Sequence, residues 1–222
     1  LHNRKHSFPT RRSSDLGETY WNREGRWQGH VAVPLTPHGI AQAQRLAQFI
    51  VPIGLDALYS SDLHRARQTA EILAEHADLS PVYDQRLRER AMGEWQGLTI
   101  HNVIEWYPAA YERLQDNPHT FQLPAGESRQ QVAKRVMACF RDIVARGGET
   151  VALISHSTAL RILLDELVPE TDPFEIEFRN MSVTTLVADE QDRWHVSQFD
   201  DVSHLEGMDS QPFPKTKGAQ KI

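Results

Sequence analysis

Two hydrophobic periods alternate along the chain. Ile40, Ala43, Leu46, Ala47 and Ile50 recur at helical spacing, after Thr36 as a predicted N-cap and Pro37 at the first helical position. Ala57–Ser60 is a short buried-strand candidate. Ser61 or Asp62 is then expected to cap a helix carrying Ala66, Thr69, Ala70, Leu73 and Ala74 on one face. Further helices are predicted near Val103–Leu114, over the stretch with Val132, Val136, Phe140, Ile143 and Val144, and over Thr158–Leu167. Gly147-Gly148 ends the second of these. Thr150–Ser155, TVALIS, is a continuous apolar run, as in a parallel strand covered on both faces. Val183–Ala188 and Trp194–Phe199 read as strands around a hairpin turn at Asp189–Asp192. Polar, Gly- and Pro-punctuated stretches at 17–29, 86–99 and 118–126 read as loops, and the tail from Met208 as frayed. Strands alternating with helices predict an α/β sandwich, and no internal repeat is present.

Composition narrows this picture. The 222 residues are ample for one buried core, and no apolar stretch approaches the roughly 18 residues of a transmembrane helix. Cys139 is the one cysteine, which excludes an intrachain disulfide framework and a Cys-rich zinc site. A net charge of −6 argues against a nucleic-acid partner, since phosphate backbones favour basic surfaces. No apolar h-region opens the chain, so a cytoplasmic location is expected.

Residues 1–16, LHNRKHSFPTRRSSDL, differ from the rest. Arg4, Lys5, Arg11 and Arg12 against Asp15 give them a net +3, and they show no helical or strand period. Composition alone reads as a disordered basic tail. A sharper reading is that His6–Leu16 resembles the translation of a short-read sequencing adapter, which would make 1–16 a non-native segment. On that reading 17–207 form the domain and 208–222 a flexible tail.

Several residues point toward phosphate. Arg65 and Arg67 stand at a helix start after a strand, where backbone amides and a guanidinium fork suit a phosphoryl group; the plainer reading is a solvated basic turn. His156, followed by Ser157, stands at the carboxyl end of the best strand, where ligands bind in open α/β sheets; a packed or capping histidine fits as well. The other histidines, His30 among them, read as structural or exposed. Glu89 lies between Arg88 and Arg90 and could protonate a leaving oxygen, or simply belong to a surface ion-pair cluster. These residues suggest a phosphoanion site and fix no reaction.

The segments GETYWN and GRWQG, PLTPHGIAQAQ, YSSDLHRARQTAE, LRERAMGEWQG, LPAGES, ALISHSTALR, NMSVTTL and DDVSHL, in this order from Gly17 to about Leu205, resemble the histidine phosphatase superfamily in its small bacterial phosphatase branch. The resemblance implies a phosphoglycerate-mutase-like fold: a three-layer α/β sandwich with a mostly parallel central sheet, helices on both faces and a small helical insertion at about 90–125. It implies hydrolysis of a small phosphomonoester through a phosphohistidine, without metal or other cofactor. A signature Arg-His at the end of the first strand supplies the nucleophile and one phosphate-binding cation. By motif, Arg65 is the second phosphate-binding arginine, His156 the second histidine and Glu89 the acid/base. Asn22, Gln28 and the Gly29 amide line the same pocket, Ser157 follows His156 where the family usually has glycine, and Arg67 is a weaker candidate.

The departure that matters stands just before Gly17, where Asp15 and Leu16 occupy the places of that Arg and His. The chain as written is therefore expected to be inactive. Its first sixteen residues are expected to be poorly ordered or an ill-fitting stand-in for an apolar strand. Phosphotransfer of the mutase type, favoured less because 89–126 is short, and a pseudoenzyme that only binds phosphoanions remain as alternatives. No nucleic acid or membrane partner is expected, and a homodimer stays open.

Overall fold

The computed structural model describes residues 10–14, 16–175 and 178–208, with the backbone alone for 11–14. Its six strands form one sheet: β1 (Thr10–Ser14), β2 (Ala57–Ser60), β3 (Val82–Tyr83), β4 (Thr150–Ile154), β5 (Val183–Ala188) and β6 (Trp194–Asp201). The order is β3-β2-β4-β1-β5-β6. The pairs β3–β2, β2–β4 and β4–β1 are parallel, and β5 and β6 close the other edge antiparallel. The α-helices among the described residues are, in chain order, α1 (Tyr20–Arg23), α2 (Pro37–Ile50), α3 (His64–Ala77), α4 (Ile100–Trp106), α5 (Pro108–Asp116), α6 (Arg129–Arg146) and α7 (Ser157–Leu167).

Strand alternation divides the core. On β4, Ala152 and Ile154 pack with Leu46, Ala47, Ala66 and Leu73 of α2 and α3. Val151 and Leu153 face the other way, onto Val136, Phe140, Leu160 and Leu163 of α6 and α7. This is the expected three-layer sandwich. The insertion holds a satellite core in which Trp95, fully buried, meets Val103, Leu114 and Leu123 with Trp27, Tyr107 and Phe121 around it. Gly93 is required there, because a Cβ would fall 1.9 Å from the Pro124 carbonyl oxygen.

Local chemistry explains where the elements depart from the reading of the sequence. Thr36 caps α2 and Pro37 opens it, as its pattern requires. The stretch near Val103–Leu114 is two helices: Tyr107 leaves the helical region before Pro108, which starts α5. The 17–29 stretch contains α1, whose Thr19–Asn22 capping box closes one short turn. Neither Ser61 nor Asp62 is the N-cap of α3; that place falls to Leu63, with no side-chain cap. Both side chains are engaged elsewhere. Asp62 accepts two hydrogen bonds from Arg88, at 2.7 and 2.6 Å, and the Ser61 hydroxyl is bonded to His156.

The backbone of Thr10–Ser14 takes the central place between β4 and β5, in regular register over five residues. Ladder hydrogen bonds belong to the backbone, and β4 and β5 would otherwise each carry an unpaired inner edge. Strand pairing thus needs no apolar sequence, and TRRSS supplies none. Residues 1–9 and 15, with the tail beyond Met208, lie outside the described residues. Among the described residues no helix is long and apolar enough to cross a membrane.

Candidate active site

Ser14, Ser60 and Ile154 lie side by side at the carboxyl ends of β1, β2 and β4. The segments leaving these three strands therefore emerge at one edge of the sheet. After β4, His156 is the N-cap of α7 in extended backbone and is almost wholly buried. Its Nε2 lies 2.8 Å from the Ser61 hydroxyl, which emerges after β2. Glu89 reaches the same helix start: its Oε2 accepts from the Thr158 amide at 3.3 Å, and its Oε1 from the Arg90 amide at 2.7 Å.

Arg65, on the first turn of α3, is buried and donates to the Gly29 carbonyl at 2.9 Å and the Val31 carbonyl at 3.2 Å. Gly29 is itself buried at φ +53, with Met92 and Gln96 where a Cβ would be. Burial, with the nearby charges of Arg65, Arg135 and His30, holds the His156 imidazole well below the usual histidine range. At neutral pH it is therefore an uncharged imidazole.

The loop carrying Glu89 is clamped from α6. Arg135 donates to the carbonyls of Arg86, Arg88 and Glu89 at 2.8, 2.6 and 2.8 Å, and its Nε and a terminal nitrogen engage Glu127 at 2.8 and 2.9 Å. Glu127 in turn accepts from the Ala91 amide at 2.8 Å. Burial would raise the Glu127 carboxyl, but Arg135 and the Ala91 amide outweigh it and hold the group below its ordinary value. His30 donates from Nε2 to the Glu89 carbonyl at 2.7 Å. Arg90 is buried against the Glu127 and Phe121 carbonyls; burial and nearby Arg129 pull it down to about 10, still cationic at neutral pH. Cys139 offers no thiolate, because burial, then Asp84, pushes its thiol up to about 12.

The structure thus groups Arg65, Glu89, His156, Ser157 and Gly29. Gln28, adjoining Gly29, carries a buried side-chain oxygen with no hydrogen-bond partner among the described residues. Asn22 is tied into the capping box: its Oδ1 accepts from the Thr19 amide at 2.9 Å and the Thr19 hydroxyl at 2.7 Å. Arg67 goes elsewhere. Its guanidinium lies 3.9 Å from the Tyr83 ring centre and pairs with Glu71 at 4.0 Å, half exposed. Reading the sequence missed Ser61, His30, Arg135 and Glu127. The second serine of YSSDL and the glutamate of LPAGES were visible in the motifs, but no local pattern tells that a side chain bonds a residue about 95 positions away.

Comparison with known proteins places this arrangement. The model described as "Histidine phosphatase superfamily (branch 1)" matches residues 17–202. The chain is 34% identical over 194 residues to "Phosphoglycerate mutase-like protein 4" of Arabidopsis thaliana, covering 86% of this chain and 84% of that protein. Among solved structures, YhfR of Bacillus stearothermophilus is 34% identical with a TM-score of 0.80, over 89% of this chain and 100% of that one. A mycobacterial glucosyl-3-phosphoglycerate phosphatase in complex with VO3 is 28% identical with a TM-score of 0.79, over 86% and 99%.

Proposed function

The chain belongs to the histidine phosphatase superfamily, and from that premise we propose that its intact form hydrolyses a small phosphomonoester through a phosphohistidine, and that this chain lacks the nucleophile. The observation that carries the reading is the juncture at the carboxyl edge of the sheet: buried His156 at the N-cap of α7, the Glu89 side chain on the amide two residues on, and Arg65 buried at the start of α3.

In the first step an imidazole nitrogen supplied at position 16 attacks phosphorus, and the P–O bond to the leaving group breaks. Glu89, protonated for this step, gives its proton to the departing oxygen. In the second, Glu89 takes a proton from water as the water attacks phosphorus, and the N–P bond breaks to release phosphate and the free imidazole. Arg65, His156 and the α7 amides hold the equatorial oxygens, whose charge they meet without reorganising. Gln28, adjoining Gly29, would meet the same ligand only through its side-chain NH2, since its buried, unpartnered Oε1 is an acceptor. With Leu16 in place no imidazole stands at the attack position, and Asp15 puts an anion where the family carries a cation.

The experiment is release of phosphate from an aryl phosphate with chelator present. The chain as written is expected to give none; a version with Arg and His at 15 and 16 after an apolar strand is expected to turn over. Robust turnover by the unrestored chain, or loss of the restored activity with chelator, overturns the reading. The mutase-like relative named above supports phosphotransfer as a second reading. Transfer from a phosphorylated restored enzyme to a phosphoglycerate, in preference to water, would establish it.

A further inference from the structure

Ser61 belongs to no role the motifs assign, yet its hydroxyl is fully buried and bonded to His156. A serine hydroxyl has one proton and two acceptor positions, and a neutral imidazole has one N–H and one lone pair. Ser61 Oγ already accepts from the Leu63 amide at 3.3 Å. Its proton has one acceptor among the described residues, which is His156 Nε2 at 2.8 Å. Were Nε2 the donor, both the Ser61 proton and the Nδ1 lone pair would lack a partner among the described residues, two unmet groups against the single Nδ1–H of the other tautomer.

We propose that Ser61 is a positioning residue that donates to Nε2 of His156 and thereby fixes the imidazole with its proton on Nδ1. The groups around the ring favour its uncharged form. Arg65 on α3, Arg135 on α6 and His30 all oppose a second proton, and Glu89 is bound to the α7 amide and the Arg90 amide. Nδ1 makes no hydrogen bond among the described residues. Separated from Nε2 by Cε1 alone, it is then an N–H ready to donate. On the proposed function, whose failure would leave the tautomer untouched, that N–H meets a phosphoryl oxygen beside the helix amides.

The test is nitrogen NMR of the histidine-labelled chain at neutral pH, with the His156 signals identified by their loss in His156→Gln. The expected pattern is a protonated Nδ1 and an unprotonated, hydrogen-bonded Nε2. Ser61→Thr, which keeps the hydroxyl, is expected to retain it; Ser61→Ala is expected to move the proton to Nε2 or average the two nitrogens. A protonated Nε2 in the unmutated chain, or the same pattern with and without the hydroxyl, overturns the proposal. If Ser61→Ala does not fold, the spectra of the unmutated chain and of Ser61→Thr decide. Titration with inorganic phosphate separates the two readings. Binding weakened about tenfold by Ser61→Ala and kept by Ser61→Thr supports both, tenfold being the worth of one hydrogen bond. No phosphate binding by the version with Arg and His restored at 15 and 16, with Nδ1 protonated, upholds Ser61's role and removes the phosphatase reading.

Discussion

β1 and β4 are neighbours in the middle of one sheet, paired residue for residue from Thr10↔Thr150 to Ser14↔Ile154, yet they could hardly differ more in sequence. β4 reads TVALI, and its four apolar side chains are buried in the two cores on either face. β1 reads TRRSS. The segments beyond the two strands differ in the same way. After β4 come His156 and a helix start held by Ser61, Glu89 and the Arg135–Glu127 clamp. After β1 come Asp15 and Leu16, and the family match begins only at Gly17. A slot in a sheet and a working strand are thus separate things. The slot is set by two neighbours offering backbone partners; apolar packing and a catalytic side chain at the strand's end have to come from its own sequence.

The contrast between the two strands should be erased most completely at its functional end. Restoring an apolar strand with Arg and His at 15 and 16 should raise phosphate release from an aryl phosphate by several orders of magnitude, since groups that act as a unit recover little without the nucleophile. The packing end comes next. Leu153→Ala should cost about 2–5 kcal/mol in urea unfolding, by lost burial and a cavity between β4 and α6–α7. Ser13→Ala, at the paired position on β1, should change stability by less than about 1 kcal/mol. Equal costs for the two would mean that β1 packs as β4 does.

The clamp behind the β4 half is weaker but titratable. Glu127→Gln should cost roughly 1–3 kcal/mol, by leaving Arg135 and the Ala91 amide with a poorer partner. Because the folded-state pKa of Glu127 lies below its ordinary 4.5, its contribution is present above that value and lost as pH falls through the folded pKa. Acid unfolding curves should therefore be flatter in Glu127→Gln below about pH 4.5 than in the unmutated chain. A parallel pair of curves would show that the clamp does not hold the carboxylate charged. The mildest change separates two arginines on one helix. Arg67→Ala should change stability by under about 1 kcal/mol, as expected of a half-exposed ion pair and ring contact. It should leave inorganic phosphate binding intact, whereas Arg65→Ala should weaken it, measured by titration calorimetry.

Much of the fold was legible because it rests on short-range periodicity. Helix α2 declared itself by Thr36, Pro37 and five apolar positions, and β2 and β5 by runs whose ends match the strands observed. Helices α4 and α5 read as one, because apolar spacing does not register the break that Pro108 imposes at Tyr107. β3, two residues long, has no pattern to find. At the site, Arg65, Glu89 and His156 stood out as motif residues; the fold brings Glu89 and His156 to the start of α7 and sets Arg65 at the start of α3, on the Gly29 and Val31 carbonyls. Arg67 looked equivalent to Arg65 in the sequence. Two residues along a helix turn a side chain to another face, so Tyr83 and Glu71 receive it.

Neighbouring residues alone thus specify the capped helices, the apolar strands, the family motifs from Gly17 onward and the Asp15-Leu16 pair before them, since each is written locally in the sequence. Only the folded chain decides that TRRSS lies between β4 and β5, that Ser61 serves His156 instead of α3, and that Arg135 and Glu127 grip the Glu89 loop. These rest on backbone partners and hydrogen bonds between segments far apart in the chain, and such geometry exists only once the sheet has brought their ends to one edge.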